Sequence, residues 1–401
     1  MMMKKTVLLA LMLPLASAAW GYEHSLTEAE PEIMGMDPVY LTLADSLIET
    51  SIDEGEIPGA VLVVVRDSVI VYRKAFGWKQ TMPEQQEMLP GTIFDLASLT
   101  KPVATATAAM KLVEQGRLRL SDPISKYVPE YRRFYGGEVR DRDQPRVVDL
   151  LTHTAGLPFY LPVDQLRRFY GEAAADSLMS YMSAIPFRPQ RDAEFNYSCP
   201  TFITLQKVVE EVTGSDLATW TRDHIFEPLG MNNTSYLPYP DMHHRIAPTQ
   251  YDKLQGELRG IVHDPIARDL MQGISGNAGL FSNGDDLAVF ASMMLNNGML
   301  RGRRILSPAT VRIMTTIPEG KSESGRVLGW DHSSSFSSNQ GDLTGENTYG
   351  HTGYTGTSMI IDPDARTAVI LLTNRVYPDD SGSVVDLRAK VANVVAASVI
   401  H

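Results

Sequence analysis

The sequence predicts an α/β protein: an antiparallel sheet flanked by helices, with an inserted, mainly helical domain. Three observations predict it. Short β-rich runs come in pairs near both ends of the chain, Ala60–Val65 with Ser68–Arg73 and Thr357–Ile361 with Thr367–Thr373. Apolar residues at helical spacing precede the first pair and follow the second. Between the pairs, helical patterns dominate, near 102–115, 163–184, 201–213, 215–224 and 285–297. One sheet assembled from both ends, with helices on its faces, is the economical arrangement, and a cleft beside the insertion is the natural site.

Composition sets the outer limits. The chain has 401 residues, 43% apolar and 21% charged, which is ample material for a core and excludes disorder as the main state. A single cysteine, Cys199, excludes an intrachain disulfide, a Cys-rich zinc site and a CxxC motif. A net charge of −12 argues against a broad nucleic-acid footprint.

The elements follow in order. Lys4 and Lys5, an apolar run Thr6–Leu15 and Ala16-Ser17-Ala18 read as a signal peptide over 1–19, cleaved after Ala18 or Ala19. The run is about 10 residues, half the ~20 needed to span a bilayer, so no stable membrane span is expected. Export to the periplasm or the medium follows from that reading. Residues 20–36 form an irregular lead-in. Asp37-Pro38 looks like an N-cap and first helical position, with Val39, Leu43, Leu47, Ile48 and Ile52 behind it and Gly55 as the stop. Arg66-Asp67 and Asp362-Pro363-Asp364 are the hairpin turns. Val384, Leu387, Val391, Val394 and Val395 share one face of a last helix, with Ser383 as its cap. The expected division is 37–95 with 325–401 as the sheet domain and 96–324 as the helical domain.

Three segments carry chemistry. In Ser98-Leu99-Thr100-Lys101, positions i and i+3 share a helix face, which puts an amine beside a hydroxyl. Partial burial is expected to lower the lysine pKa so that the neutral amine takes the hydroxyl proton. Pro102 fits a helix start, where free N–H groups and the dipole favour developing negative charge. Tyr197-Ser198-Cys199 precedes a helix and offers a phenol that relays a proton. Tyr349-Gly350-His351-Thr352-Gly353-Tyr354-Thr355-Gly356 offers a Gly-rich strand edge that a ligand can approach closely. His243-His244 and His263-Asp264 read as loop residues, His153 as a buried structural histidine; no metal site and no cofactor are implied.

In this order, Ser98-x-x-Lys101, Tyr197-Ser-x and His351-Thr-Gly resemble the serine β-lactamase and penicillin-binding protein superfamily. With its tyrosine the chain resembles the class C-type branch, which includes D,D-carboxypeptidases and family VIII esterases. Ile93–Ser98, Asp149–Pro158, Gly276–Ser282 and Leu372–Arg375 match that branch as well.

The resemblance implies a β-lactamase/transpeptidase-like fold. It implies Ser98 as the acylated nucleophile, with Lys101 and Tyr197 sharing acid–base work. His351, Thr352 and Gly353 would line the substrate strand, and the N–H groups of Ser98 and Tyr354 would form the oxyanion hole. Two positions depart from the pattern. Cys199 stands where Asn is common, exchanging an amide for a weak thiol donor. His351, largely neutral at pH 7, stands where β-lactamases usually have Lys, so Arg375 is the expected nearby cation.

The expected activity is therefore D-alanyl-D-alanine carboxypeptidase-like hydrolysis of peptidoglycan peptides through an acyl-enzyme. The alternatives are a carboxylesterase on short acyl esters, a weak class C-type β-lactamase, and a penicillin-binding sensor or inactive homologue. No motif bears on the oligomeric state.

Overall fold

The computed structural model describes residues 26–134, 137–171, 174–184, 190–252 and 256–400. The expected signal peptide and the first residues of the lead-in lie outside them.

Helix α1 spans Pro38–Asp53, and the Asp37 carboxylate caps it by accepting from the Val39 N–H at 2.8 Å. Its buried face is Leu41, Ala44, Ile48 and Ser51, whereas Val39 and Leu43 are exposed. The expected apolar face is thus rotated, because two apolar residues point to solvent. Strands β1 (Gly59–Arg66), β2 (Val69–Gln80) and β3 (Gln86–Glu87) follow. The β1–β2 turn is one residue later than expected. It uses Asp67 and Ser68, both at positive φ, and β2 continues to Gln80 instead of ending at Arg73.

The middle of the chain supplies helices α2 (Thr107–Glu114), α3 (Cys199–Thr213) and α4 (Gly284–Leu295) among shorter turns. The predicted 163–184 pattern falls on two helices, Val163–Tyr170 and Ala174–Ala184. Strands β4 (Tyr349–Thr352), β5 (Ser358–Asp362) and β6 (Thr367–Thr373) then complete the sheet, and α5 (Val385–Ala397) ends the fold. No Ser383 cap forms. The N-cap residue is Val384, and the Ser383 N–H instead donates to the Glu56 carboxylate at 2.5 Å.

The sheet order is β4-β5-β6-β1-β2-β3, antiparallel throughout. Both faces of β1 are covered, which is why its sequence is an unbroken apolar run. Val61, Val63 and Val65 join the core shared with the helical middle of the chain. Ala60, Leu62 and Val64 pack under α1 and α5, against Leu41, Ile48, Leu387 and Val391. A three-stranded sheet of Phe94–Asp95, Leu280–Ser282 and Ser235–Tyr236 links the two parts and delivers the chain to residue 98.

Candidate active site

Ser98 lies in a short 3-10 turn, Ala97–Leu99, which passes into a π-helical turn, Lys101–Ala106, ahead of α2. The turn is set by Asp95. Its buried carboxylate accepts from the Ala97 N–H at 2.9 Å and the His263 N–H at 2.7 Å, and Ala97 adopts φ +44°.

The i,i+3 spacing brings Lys101 Nζ to 2.9 Å from Ser98 Oγ. The fully buried ammonium also donates to the Asn277 carbonyl at 3.0 Å and lies 3.8 Å from Cys199 Sγ and 5.0 Å from the Tyr197 ring centre. Burial pulls its pKa down, but Cys199, Tyr197 and Asp264 outweigh that, and the result lies above the ordinary lysine value. This corrects the expectation of a neutral amine: Lys101 rests as a cation.

Tyr197 is held by the segment before α3. Ser198 caps that helix, its hydroxyl donates to the Pro158 carbonyl, and the Cys199 N–H donates to the Phe159 carbonyl. His153 Nδ1 accepts from the Ser198 N–H at 3.1 Å, and its ring packs on the Tyr197 ring at 4.5 Å. Burial, then Arg326 and Lys101, keep His153 neutral, so it positions the phenol without carrying charge. Cys199 begins α3 fully buried, and burial pushes its thiol pKa up, so it stays a thiol.

On the opposite wall, β4 carries His351 and Thr352. Thr355 Oγ1 donates to the Asp95 carbonyl at 2.7 Å and Thr357 Oγ1 to the Leu96 carbonyl at 3.1 Å. These bonds tie the turn holding Gly353 and Tyr354 to the segment leading into Ser98. His351 is buried, and burial followed by Arg326 and Lys101 holds its pKa well below the usual imidazole value. No charge is available there.

Ser98, Tyr197, His351, Thr352, Gly353, Tyr354 and Arg375 line one cavity of about 390 Å³, within the usual size for a small-molecule site. Arg375 is not the free cation that was expected. Its Nη1 pairs with Asp380 at 2.5 Å, and Nε and Nη2 donate to the Tyr354 carbonyl. Sequence reasoning missed two further arginines in the wall, Arg326 and Arg388, both buried. It also missed Asn277 and Asp95 as supports, although both lie in stretches that matched the family. Among the described residues no cluster of His, Cys, Asp and Glu suits a metal, and no helix is long and apolar enough to cross a membrane.

Burial raises the Asp95 pKa from 3.8 to about 6, with two N–H donors opposing. The folded state therefore holds this proton more tightly than the unfolded one, and the associated stability, full below pH 3.8, is lost as pH rises through 6. The unfolding free energy of the wild type minus that of Asp95→Asn is expected to fall by about 2 kcal/mol between pH 4 and 6. Chemical denaturation across that range checks it, and a flat difference would refute the assignment.

The Beta-lactamase family model matches residues 44–393. An N-acetylmuramyl-L-alanine amidase from Bacillus subtilis (strain 168) is 34% identical over 379 residues, covering 87% of this chain and 85% of the relative. A putative D-alanyl-D-alanine carboxypeptidase from Escherichia coli O157:H7 is 32% identical over 409 residues, covering 94% and 92%. Among solved structures, EstCE1, a hydrolase with promiscuous acyltransferase activity, superposes with a TM-score of 0.70 at 23% identity, covering 89% of this chain and 99% of that one.

Proposed function

The chain belongs to the β-lactamase family of serine hydrolases, and from that premise we propose that it is an exported D-alanyl-D-alanine carboxypeptidase-like enzyme acting through an acyl-enzyme on Ser98. The observation that carries this reading is the 2.9 Å contact between Lys101 Nζ and Ser98 Oγ beside a cavity that Ser98 and Tyr197 both line. The Lys101 ammonium donates to the serine oxygen and stabilises the alkoxide as it forms. It cannot accept that proton at the same time, so Tyr197, acting as the phenolate, takes it, becomes the neutral phenol and gives it to the leaving group. The cation near the ring favours the phenolate that this role requires before the proton arrives. The N–H groups of Ser98 and Tyr354 hold the tetrahedral oxygen, and water then releases the acyl group.

The names of the two relatives support a cell-wall peptide as substrate, and the leader-like residues 4–18 support export. A second reading, a carboxylesterase on short acyl esters, is favoured by the exposed Phe159 and Phe336 of the cavity wall and by the uncharged His351.

Intact mass after incubation with benzylpenicillin, paired with D-alanine release from an acyl-D-alanyl-D-alanine peptide, separates the two. A one-penicillin adduct and released D-alanine are expected. Unconsumed penicillin with no adduct and no D-alanine would overturn the peptidase reading and leave the esterase.

A further inference from the structure

Three arginines reach the cavity of a protein whose net charge is −12. Two of them close on a single residue, Tyr354, and they come from separate elements. Arg375 follows β6, and Arg388 lies in α5.

Arg388 Nη2 donates to the Gly353 carbonyl at 2.8 Å and to the Thr357 carbonyl at 2.9 Å. Its Nη1 meets Asn339 Oδ1 only at 3.5 Å, and Nε has no partner among the described residues. The two turn carbonyls are therefore its close contacts. Burial, then Arg375, pull its pKa down to about 9, which leaves it charged at neutral pH. Arg375 Nε and Nη2 donate to the Tyr354 carbonyl at 3.1 and 2.8 Å, and the guanidinium covers the Tyr354 ring at 4.6 Å. Asp380 accepts from both Arg375 Nη1 and the Tyr354 hydroxyl.

These contacts fix both peptide groups of Tyr354. The Gly353 carbonyl and the Tyr354 N–H belong to one planar trans unit and point in opposite directions. Whatever holds that carbonyl aims that N–H. The Gly356 N–H also donates to it, at 3.1 Å. On the next peptide, Arg375 holds the Tyr354 carbonyl. With both planes held, φ and ψ of Tyr354 are set, although the residue is 59% exposed. Charged donors do this more strongly than neutral ones, and their field favours an anion formed at that N–H.

We infer that Arg388 and Arg375 are positioning residues that hold the Tyr354 N–H in place for the tetrahedral oxygen. The inference rests on the serine-hydrolase reading and deepens it: this wall's positive charge serves the transition state, and neutral and anionic substrates benefit alike.

The test uses the full chain with phenyl acetate, m-carboxyphenyl acetate and methylboronic acid. The boronic acid adds to a serine hydroxyl, forming a B–O bond and releasing a proton, and the tetrahedral anion mimics the intermediate without a leaving group. Arg388→Met is expected to lower kcat about 100-fold on both esters with KM within about two-fold, because a misplaced oxyanion donor is missed only in the transition state. Its affinity for methylboronic acid should fall at least about 10-fold, and Arg388→Lys should recover part of both losses.

A loss confined to the carboxylate-bearing ester and seen in KM would overturn the inference, since Arg388 would then bind substrate charge. Unchanged kcat would overturn it, and so would a fall in kcat with unchanged boronic-acid affinity. Should Arg388→Met fail to fold, Arg375→Met, at the less buried guanidinium, decides by the same readings. A wild type that neither hydrolyses the esters nor binds the boronic acid would refute the Ser98 reading itself.

Discussion

Ser98→Ala is expected to remove turnover by at least about 1000-fold on every substrate, with little change in stability. Its hydroxyl is half-buried and makes one hydrogen bond to another side chain, with Lys101 Nζ. Losing one such bond costs about 1 kcal/mol, which in a protein this size moves the melting temperature by roughly 1–2 °C. Nothing else in the cavity stands in for the nucleophile. The one cysteine is a buried thiol whose pKa is raised, and His153 and His351 are held neutral by burial. Steady-state hydrolysis with a thermal melt on the same preparation checks the expectation. Residual hydrolysis above a few per cent would remove Ser98 from its assigned role.

Gly353→Ala is expected to lose activity and stability together. The reason is crowding, not backbone conformation. A Cβ at residue 353 would lie 2.2 Å from Thr357 Oγ1 and 2.3 Å from the Leu96 carbonyl oxygen. The first atom can rotate away only by giving up its bond to that same carbonyl. The second is backbone, two residues before Ser98. Either the turn after β4 retreats or the serine segment does, and overpacking of this kind costs about 1–3 kcal/mol. A displacement near 1 Å at reacting groups costs on the order of 100-fold in rate. A combined loss of kcat and melting temperature distinguishes this variant from Ser98→Ala; wild-type values for both would show that the two walls do not need to touch.

Much of this was visible in the residues because two features write themselves plainly. A strand buried on both faces must be apolar at every position, so β1 and β6 stand out without any alternation. The three chemical segments are local, so their order along the chain is readable. What escaped depends on contacts distant in sequence. Nothing within 39–43 reveals that Val39 and Leu43 face solvent while Leu41 and Ala44 face the sheet. The polar end of β2 disguised its length, since Lys79 is a strand residue whose ammonium finds the His244 carbonyl at 2.5 Å. Arg326 sits among serines and glycines with no motif of its own, and a bridge from Arg326 to Asp331, continued from Asp331 to Gly350, takes it to the cavity. Arg375 stands where it was expected, but Asp380, five residues on, takes the charge it was expected to offer.

The strand order also sets a timetable for synthesis. Strand β1 pairs on one side with β2, which follows at once, and on the other with β6, Ala60 opposite Thr373. About 300 residues must be made between those partners, which at 5–20 residues per second is roughly 15–60 s. For that interval the β1–β2 hairpin is a sticky, half-finished edge on a nascent chain, the kind of surface that chaperones hold and that aggregates when they do not. The segment bearing Ser98 and Lys101 emerges early, but its opposite wall is among the last parts of the polypeptide to appear. Premature termination anywhere before β4 therefore yields a product without a substrate pocket, so no active truncated form is expected from the N-terminal side of this gene product.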